Sequence, residues 1–198
     1  MSAVLPAGRI GPNAITRLAE VLPALVGSQA THRLFEHAGL AAYLASPPEQ
    51  MVDETEVTRL HRTLRAEFGP AMAAAAARHA GLRTADYLLA NGIPKPVQAL
   101  LKVLPAPLAA RVLLSAIRRH AWTFAGSGTF TAVAGQPVVL TIRNNPLCKG
   151  LSADAPACDF YAAVFERLFR VLVHPRATVA ETACEACGDA ECRFELRW

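Results

Sequence analysis

Near its C-terminus the chain carries the sequence Glu181-Thr-Ala-Cys184-Glu-Ala-Cys187-Gly-Asp-Ala-Glu-Cys192-Arg-Phe-Glu-Leu196. Two segments rich in β-formers, at about 177–184 and 191–196, flank Gly188-Asp189, a pair that is typical of turns. The sequence therefore predicts an antiparallel hairpin with three cysteines close to its turn.

The hairpin cysteines form part of a candidate metal site. Four of the five cysteines lie in the last 41 residues, and zinc favours four sulfur, nitrogen or oxygen ligands at tetrahedral geometry. Two ligand sets are compatible with the spacing, and buried cysteines without a metal are a third interpretation. One set is Cys158, Cys184, Cys187 and Cys192, and the other replaces Cys187 with Glu181; the fifth cysteine, Cys148, is expected to be a buried packing residue.

Outward from the hairpin, the pattern predicts an α+β fold. A helix at about 158–173 precedes the hairpin, and two strands precede that helix, the second of them at 138–142. The first 120 residues predict five or six helices, including an alanine-rich one at 71–80, a short one beginning at Thr84 and a helical pair at 97–120. We therefore expect a single domain over 1–198, with a mainly helical part at 1–120 packed on a small antiparallel sheet within 121–198.

Composition restricts the classes of function. The chain is 53% hydrophobic and 18% charged, which favours an apolar ligand cavity or a subunit interface. A net charge of +4 with scattered basic residues does not suit nucleic-acid binding. The apolar stretch 97–117 is interrupted by charges and prolines, so we predict a helix pair rather than a membrane span. Because no signal peptide is apparent, we expect a cytoplasmic protein.

The C-terminal third resembles the vinyl-reductase-type small-molecule-binding domain. That domain also occurs in the sensor modules of phenol-responsive activators and is distantly related to the TRAPP subunits of vesicle tethering. The resemblance implies the same α+β ligand-binding fold. In the phenol sensors a structural zinc is held by Cys, Glu, Cys and Cys, and this order corresponds here to Cys158, Glu181, Cys184 and Cys192. The resemblance thus implies the ligand set that contains Glu181.

Motifs along the whole chain resemble the bacteriochlorophyll-synthesis J proteins of purple phototrophic bacteria. This resemblance implies a carrier or accessory protein that binds magnesium-porphyrin intermediates, with magnesium chelatase or the following methyltransferase as the enzyme partner. It leaves two alternatives: an 8-vinyl reductase that needs an external electron donor, and a small-molecule sensor. The motifs are Gly11-Pro-Asn-Ala-Ile15, Ala121-Trp-Thr-Phe-Ala-Gly-Ser-Gly128, Asn145-Pro-Leu-Cys148, Cys158-Asp-Phe-Tyr161 and Cys192-Arg-Phe194.

The sequence favours a binding protein over an enzyme. A reductase needs a hydride or electron carrier, and Gly126-Ser127-Gly128 is the nearest match to a dinucleotide-binding loop. Thr131 stands in place of the third glycine, and β-formers follow where a helix should begin. We therefore assign no catalytic residue.

The predicted ligand site lies where the helical part meets the sheet. His120, Trp122 and Phe124 alternate, so on a strand they would share one face. His120 would then approach the magnesium, and the two aromatic rings would stack on a macrocycle. Arg118 and Arg119 are candidates to pair with a carboxylate, and Tyr161 is expected to point into the same space. We also expect a homodimer, with the alanine-rich stretch 71–80 offering a surface for close approach.

Overall fold

The computed structural model describes residues 8–198 and confirms the α+β class. In chain order the strands are β1 (Arg9–Ile10), β2 (Val52–Asp53), β3 (Thr129–Val133), β4 (Val138–Arg143), β5 (Thr178–Ala183) and β6 (Cys192–Arg197). The helices are α1 (Asn13–Val26), α2 (Ser28–His37), α3 (Ala42–Ala45), α4 (Glu54–Tyr87), α5 (Lys95–Val103), α6 (Ala106–Arg119), α7 (Trp122–Ala125) and α8 (Asp159–Leu172).

Four strands form an antiparallel sheet in the order β3-β4-β6-β5. The predicted hairpin is present as β5 and β6, and its register is irregular between Glu181 and Ala183. Along β6, Cys192, Phe194 and Leu196 are buried while the residues between them are partly exposed. This alternation presents one face of the strand to the core and brings Cys192 opposite Ile142 of β4.

The helical part is organised around α4. The sequence predicted separate helices at 71–80 and from Thr84, but a single helix covers both stretches. Gly69, with a φ of 77° and a ψ of 169°, is not helical, so α4 consists of two helices that meet at a kink there. Thr84 is wrong as a helix start, because its hydroxyl donates to the carbonyl of Ala80 within α4, at 2.9 Å.

The alanine-rich half of α4 packs on α8 within the same chain. Ala73, Ala76, Ala77 and Ala80 are buried. A Cβ atom on Gly81 would lie 2.3 Å from the carbonyl oxygen of Phe160, so only glycine permits this approach. We expected the stretch 71–80 to contact a second copy of the chain, but in the structure it contacts α8 of the same chain. That assignment of the dimer contact is therefore wrong. The homodimer itself stays a prediction.

The segment after α6 does not form the strand that was expected. Residues 122–125 are the short helix α7, and β3 begins only at Thr129. His120, Trp122 and Phe124 therefore do not share one face of a strand. Among residues 8–198, no helix combines the length and the apolar character that crossing a bilayer requires.

His61 links three helices inside the helical part. Its Nε2 atom on α4 lies 3.3 Å from the carbonyl oxygen of Ala14 on α1, and its ring meets the ring of Phe160 on α8 edge to face, with 6.1 Å between centroids. Burial lowers the pKa of His61 to about 4, since a charged imidazole would lose its hydration there.

This shift predicts a loss of stability in acid. Because the folded protein holds His61 neutral while the unfolded chain protonates it near its ordinary pKa, the free energy of unfolding should fall as the pH drops from about 6.5 to about 4. The loss should reach about 2–3 kcal/mol. Urea unfolding at a series of pH values measures it.

His61→Gln should flatten this pH dependence, whereas His79→Gln, at an exposed position on the same helix, should leave it as in the wild type. An unchanged slope in His61→Gln would show that other groups cause the acid sensitivity.

Candidate metal centre and ligand groove

Four buried cysteine side chains meet at one end of the sheet. Cys158 immediately precedes α8, and Cys184 immediately follows β5. Cys192 is the first residue of β6, and Cys148 lies in the loop that follows β4. Four separate segments thus converge on a single point.

The spacing of the four sulfur atoms suits one tetrahedral ion. The six Sγ–Sγ distances range from 3.1 Å, between Cys148 and Cys158, to 4.0 Å. Four thiolates on one zinc ion, at Zn–S distances of about 2.3 Å, lie about 3.8 Å from one another. The near equality of all six distances is the signature of a tetrahedron, so this donor set fits zinc.

Amide groups around the sulfur atoms suit thiolates. Asn145, which is fully buried, donates from Nδ2 to Sγ of Cys158 at 3.2 Å, and the backbone N–H of Glu185 donates to Sγ of Cys192 at 3.4 Å. The Glu185 carboxylate accepts the backbone N–H groups of Asn144 and Asn145, at 2.6 and 2.8 Å. These bonds fix the loop that carries Cys148 and favour negatively charged sulfur.

Three of the four predicted ligands, Cys158, Cys184 and Cys192, come together as expected. The group also contains Cys148, for which the sequence analysis expected only packing. The motif Asn145-Pro-Leu-Cys148 already contained the missing signal, since it placed a cysteine ten residues before Cys158. Cys187 is exposed and lies outside the group.

Glu181 borders the group instead of joining it. Its Oε2 atom accepts the backbone N–H of Cys158 at 2.8 Å, and its Oε1 atom is buried without a hydrogen-bond partner. Burial raises the pKa of Glu181 to about 9. A buried carboxyl with a free oxygen beside two cysteines remains a candidate ligand, so the Glu181 set stays a prediction.

The thiols affect one another's titration. The pKa of Cys184 and that of Cys192 are lowered, because the neighbouring thiols of Cys148 and Cys158 hydrogen bond to their sulfur atoms. Hydrogen bonding with Cys148, Cys184 and Cys192, together with burial, raises the pKa of Cys158.

Glu54 connects the helical part to the loops beside the metal centre. Its carboxylate accepts the backbone N–H and the hydroxyl of Ser127, both at 2.6 Å, and pairs with Lys149. Burial alone would raise the pKa of Glu54, but the hydrogen bonds from Lys149 and Ser127 outweigh it and lower the pKa. Although Glu54 is the first residue of α4, its side chain is only 5% exposed.

An open groove of about 1050 Å³ lies between the first half of α4 and residues 149–152. Its volume is at the upper end of the range for small-molecule sites. Arg62 and Arg65 lie on the α4 side of the groove. In the part of the chain that the structure describes, neither of them forms an ion pair. Arg59 also lines the groove, but its Nε atom donates to the carbonyl of Ala38. Glu67, the acidic residue of the lining, pairs with His37. Arg62 and Arg65 therefore present positive charge beside apolar groups such as Leu151.

The predicted ligand residues are divided between core and surface. Phe124 and Tyr161 belong to an aromatic cluster with 6.1 Å between their ring centroids, and the Tyr161 hydroxyl donates to the carbonyl of Phe124 at 2.7 Å. His120 is exposed at the end of α6, and the Trp122 side chain is 61% exposed. Arg118 donates to the carbonyl of Ala132 at 3.1 Å, while Arg119 is exposed. Of the residues it was expected to join, Tyr161 thus contacts Phe124, whereas His120 and Trp122 lie at the surface.

Two comparisons place the chain among known proteins. Residues 138–198 match the V4R domain. Over 96% of the chain and 91% of the relative, it is 50% identical to the bacteriochlorophyll synthase 23 kDa chain of Cereibacter sphaeroides. The protein of the same description from Rhodobacter capsulatus is 41% identical over 95% of the chain and 86% of the relative.

Among solved structures, the fold is similar to that of the Fe(II) unliganded H-NOX protein from K. algicida. The TM-score is 0.62 at 10% sequence identity, over 95% of this chain and 96% of that one. The identity with the two sequence relatives, which extends over nearly the whole chain, shows its family. The chain belongs to the family of the bacteriochlorophyll synthase 23 kDa chains, as the motifs in its sequence indicated.

Proposed function

We propose that this protein acts in bacteriochlorophyll synthesis by binding a magnesium-porphyrin intermediate and carrying it between pathway enzymes. The observation that carries the proposal is the 50% identity, along nearly the whole length of both chains, to a protein described as a chain of bacteriochlorophyll synthase. At this identity over nearly the whole length of both chains, a role in the same pathway is the simplest inference.

The fold supports a tetrapyrrole as the ligand. Structures of the H-NOX class are similar to nearly the whole chain, and descriptions of two of them name heme or porphyrin distortion. The likeness concerns the fold alone, at 11% identity and TM-scores of 0.58 and 0.55. It supports the proposal because an architecture of this kind accommodates a macrocycle in those proteins.

The groove supplies the chemistry that such a ligand needs. Magnesium porphyrins of this pathway carry carboxylate side chains on a flat apolar ring. Arg62 and Arg65 offer guanidinium groups for the carboxylates, whereas Lys149 at the opposite wall is already paired with Glu54. We therefore place the ligand in this groove in preference to the surface around His120 and Trp122.

The same proposal includes a structural zinc ion held by Cys148, Cys158, Cys184 and Cys192. Four protein ligands leave no coordination position for a substrate, so the ion would serve to fix the sheet, α8 and the loop after β4 relative to one another. Since this loop continues into the wall of the groove, a bound ion would also hold that wall in place.

Metal analysis of purified variants tests the ligand set. The wild type should contain one zinc ion per chain, and Cys148→Ser should lose it, because three thiolates bind zinc more weakly than four. Cys187→Ser is the matched control and should retain the ion, since Cys187 is exposed and outside the group.

Glu181→Gln distinguishes the ligand set that contains Cys148 from the set that contains Glu181. It should retain zinc if the fourth ligand is Cys148. Loss of zinc in Glu181→Gln together with retention in Cys148→Ser would establish the set containing Glu181. A wild-type protein without stoichiometric metal would refute the zinc proposal.

Spectral titration with magnesium protoporphyrin tests the carrier function and the groove. We expect a shift of the Soret band that saturates at one pigment per chain. Removing both guanidinium groups with Arg62→Gln and Arg65→Gln should weaken binding at least about tenfold, because a hydrogen bond to a charged group contributes about 1.5–3 kcal/mol.

Two controls accompany this titration. Arg83→Gln removes an exposed charge on α4 outside the groove and should bind as the wild type does. The double variant His120→Ala with Trp122→Ala should also bind normally. If this variant loses binding, the pigment binds at the residues that were predicted from the sequence and not in the groove. Reduction of the pigment's vinyl group on addition of a pyridine nucleotide would contradict the carrier function.

A further inference from the structure

The helices α5 and α6 expose an apolar surface to solvent. It consists of Val97, Leu100 and Val103 on α5 and of Leu108 and Val112 on α6, and we call these five residues the α5–α6 face. Their exposed fractions run from 39% for Val97 to 79% for Val103. The opposite sides of both helices pack into the core, through Leu101 on α5 and Leu113 and Leu114 on α6.

Charge on this part of the chain has one sign only. Between Asp86 and Asp154 the sequence contains seven basic residues and no acidic residue. This segment therefore carries a charge of +7, and the rest of the chain carries −3, since the whole carries +4. Five of the basic residues lie on or beside the two helices and are exposed: Lys95, Lys102, Arg111, Arg118 and Arg119.

From this juxtaposition we infer that the α5–α6 face docks on an anionic lipid bilayer. Apolar side chains on a helix surface with basic residues around them are the composition of helices that lie in the membrane interface. The apolar groups would enter the boundary of the acyl region, and the lysines and arginines would meet anionic headgroups. Helices of 9 and 14 residues suit this position, because neither is long enough to span.

A second copy of the chain is a poorer occupant of the same surface. In a two-fold interface each patch meets its own copy, so the basic residues of both copies would be brought together. An anionic bilayer meets the same residues with opposite charge. This inference does not depend on the proposed pigment, and it concerns a surface separate from the groove and from the cysteine group.

Flotation with lipid vesicles tests the inference. The full-length protein should float with vesicles of phosphatidylcholine and phosphatidylglycerol, should float poorly with phosphatidylcholine alone, and should be released by salt. Leu100→Ser with Val103→Ser removes the two most exposed apolar groups on α5 and should reduce the bound fraction. Lys102→Glu with Arg111→Glu should lower the partition coefficient at least about tenfold.

The control for charge is Arg33→Glu with Arg176→Glu, which makes the same change in net charge at exposed positions outside the segment. It should bind vesicles much as the wild type does. Circular dichroism and light scattering establish that each variant is folded and report its oligomeric state.

Three results would overturn the inference. One is no flotation with either vesicle, and another is equal loss of binding in the control pair. The third is a wild-type dimer that Leu100→Ser with Val103→Ser converts to a monomer, which would assign the face to a second copy.

Discussion

The convergence of four sulfur atoms at the end of the sheet is the constraint on which the C-terminal part depends. Four cysteines from four segments can lie within 4 Å of one another only if the hairpin, the start of α8 and the loop after β4 are held together in one arrangement. Without an ion, the group brings together thiols whose desolvation is not repaid by strong hydrogen bonds. A tetrahedral cation would make the same arrangement favourable, because it neutralises the thiolates and replaces their lost hydration.

Besides the packing of α4 on α8, polar contacts of one loop connect the helical part to this centre. Lys149 follows Cys148 directly and reaches Glu54 at the start of α4, and Glu54 also holds Ser127 before β3. The same loop forms one wall of the arginine-lined groove. The candidate metal centre, this polar connection and the shape of the groove therefore share a few consecutive residues.

Much of the fold was predictable because its elements carry strong local signals. The alternation in the hairpin, the apolar face of α8 and the prolines around the α5–α6 pair indicate their structure by themselves. The kink of α4 at Gly69-Pro70 also carries a local signal. The passage of the alanine-rich helix through Thr84 was missed, since threonine is a common N-cap and here its hydroxyl donates to the carbonyl of Ala80 instead. The short α7 was also missed, because Thr123 and Phe124 have high β-propensity and tertiary context overrides it.

For the site, sequence reasoning identified three cysteines of the group and missed the part that depends on long-range contacts. Cys148 lies in a loop whose course is set by Glu185 and Asn145, contacts that no local pattern reveals. Glu54 gives the same lesson, because a glutamate at a helix start is usually solvated and here it is buried by its partners Ser127 and Lys149. The arginines of the groove share a helix surface that has no motif of its own.

Gly81 affects the candidate metal centre although it lies far from all four cysteines along the chain. Because glycine has no Cβ, Gly81 leaves room for the carbonyl oxygen of Phe160, which lies two residues after Cys158. A methyl group at this position would push the first turn of α8 outward and would carry the sulfur of Cys158 with it. The distance between two packed helices thus sets the spacing of the four sulfur atoms, so a glycine on a helix that supplies no cysteine controls the geometry of the candidate metal centre.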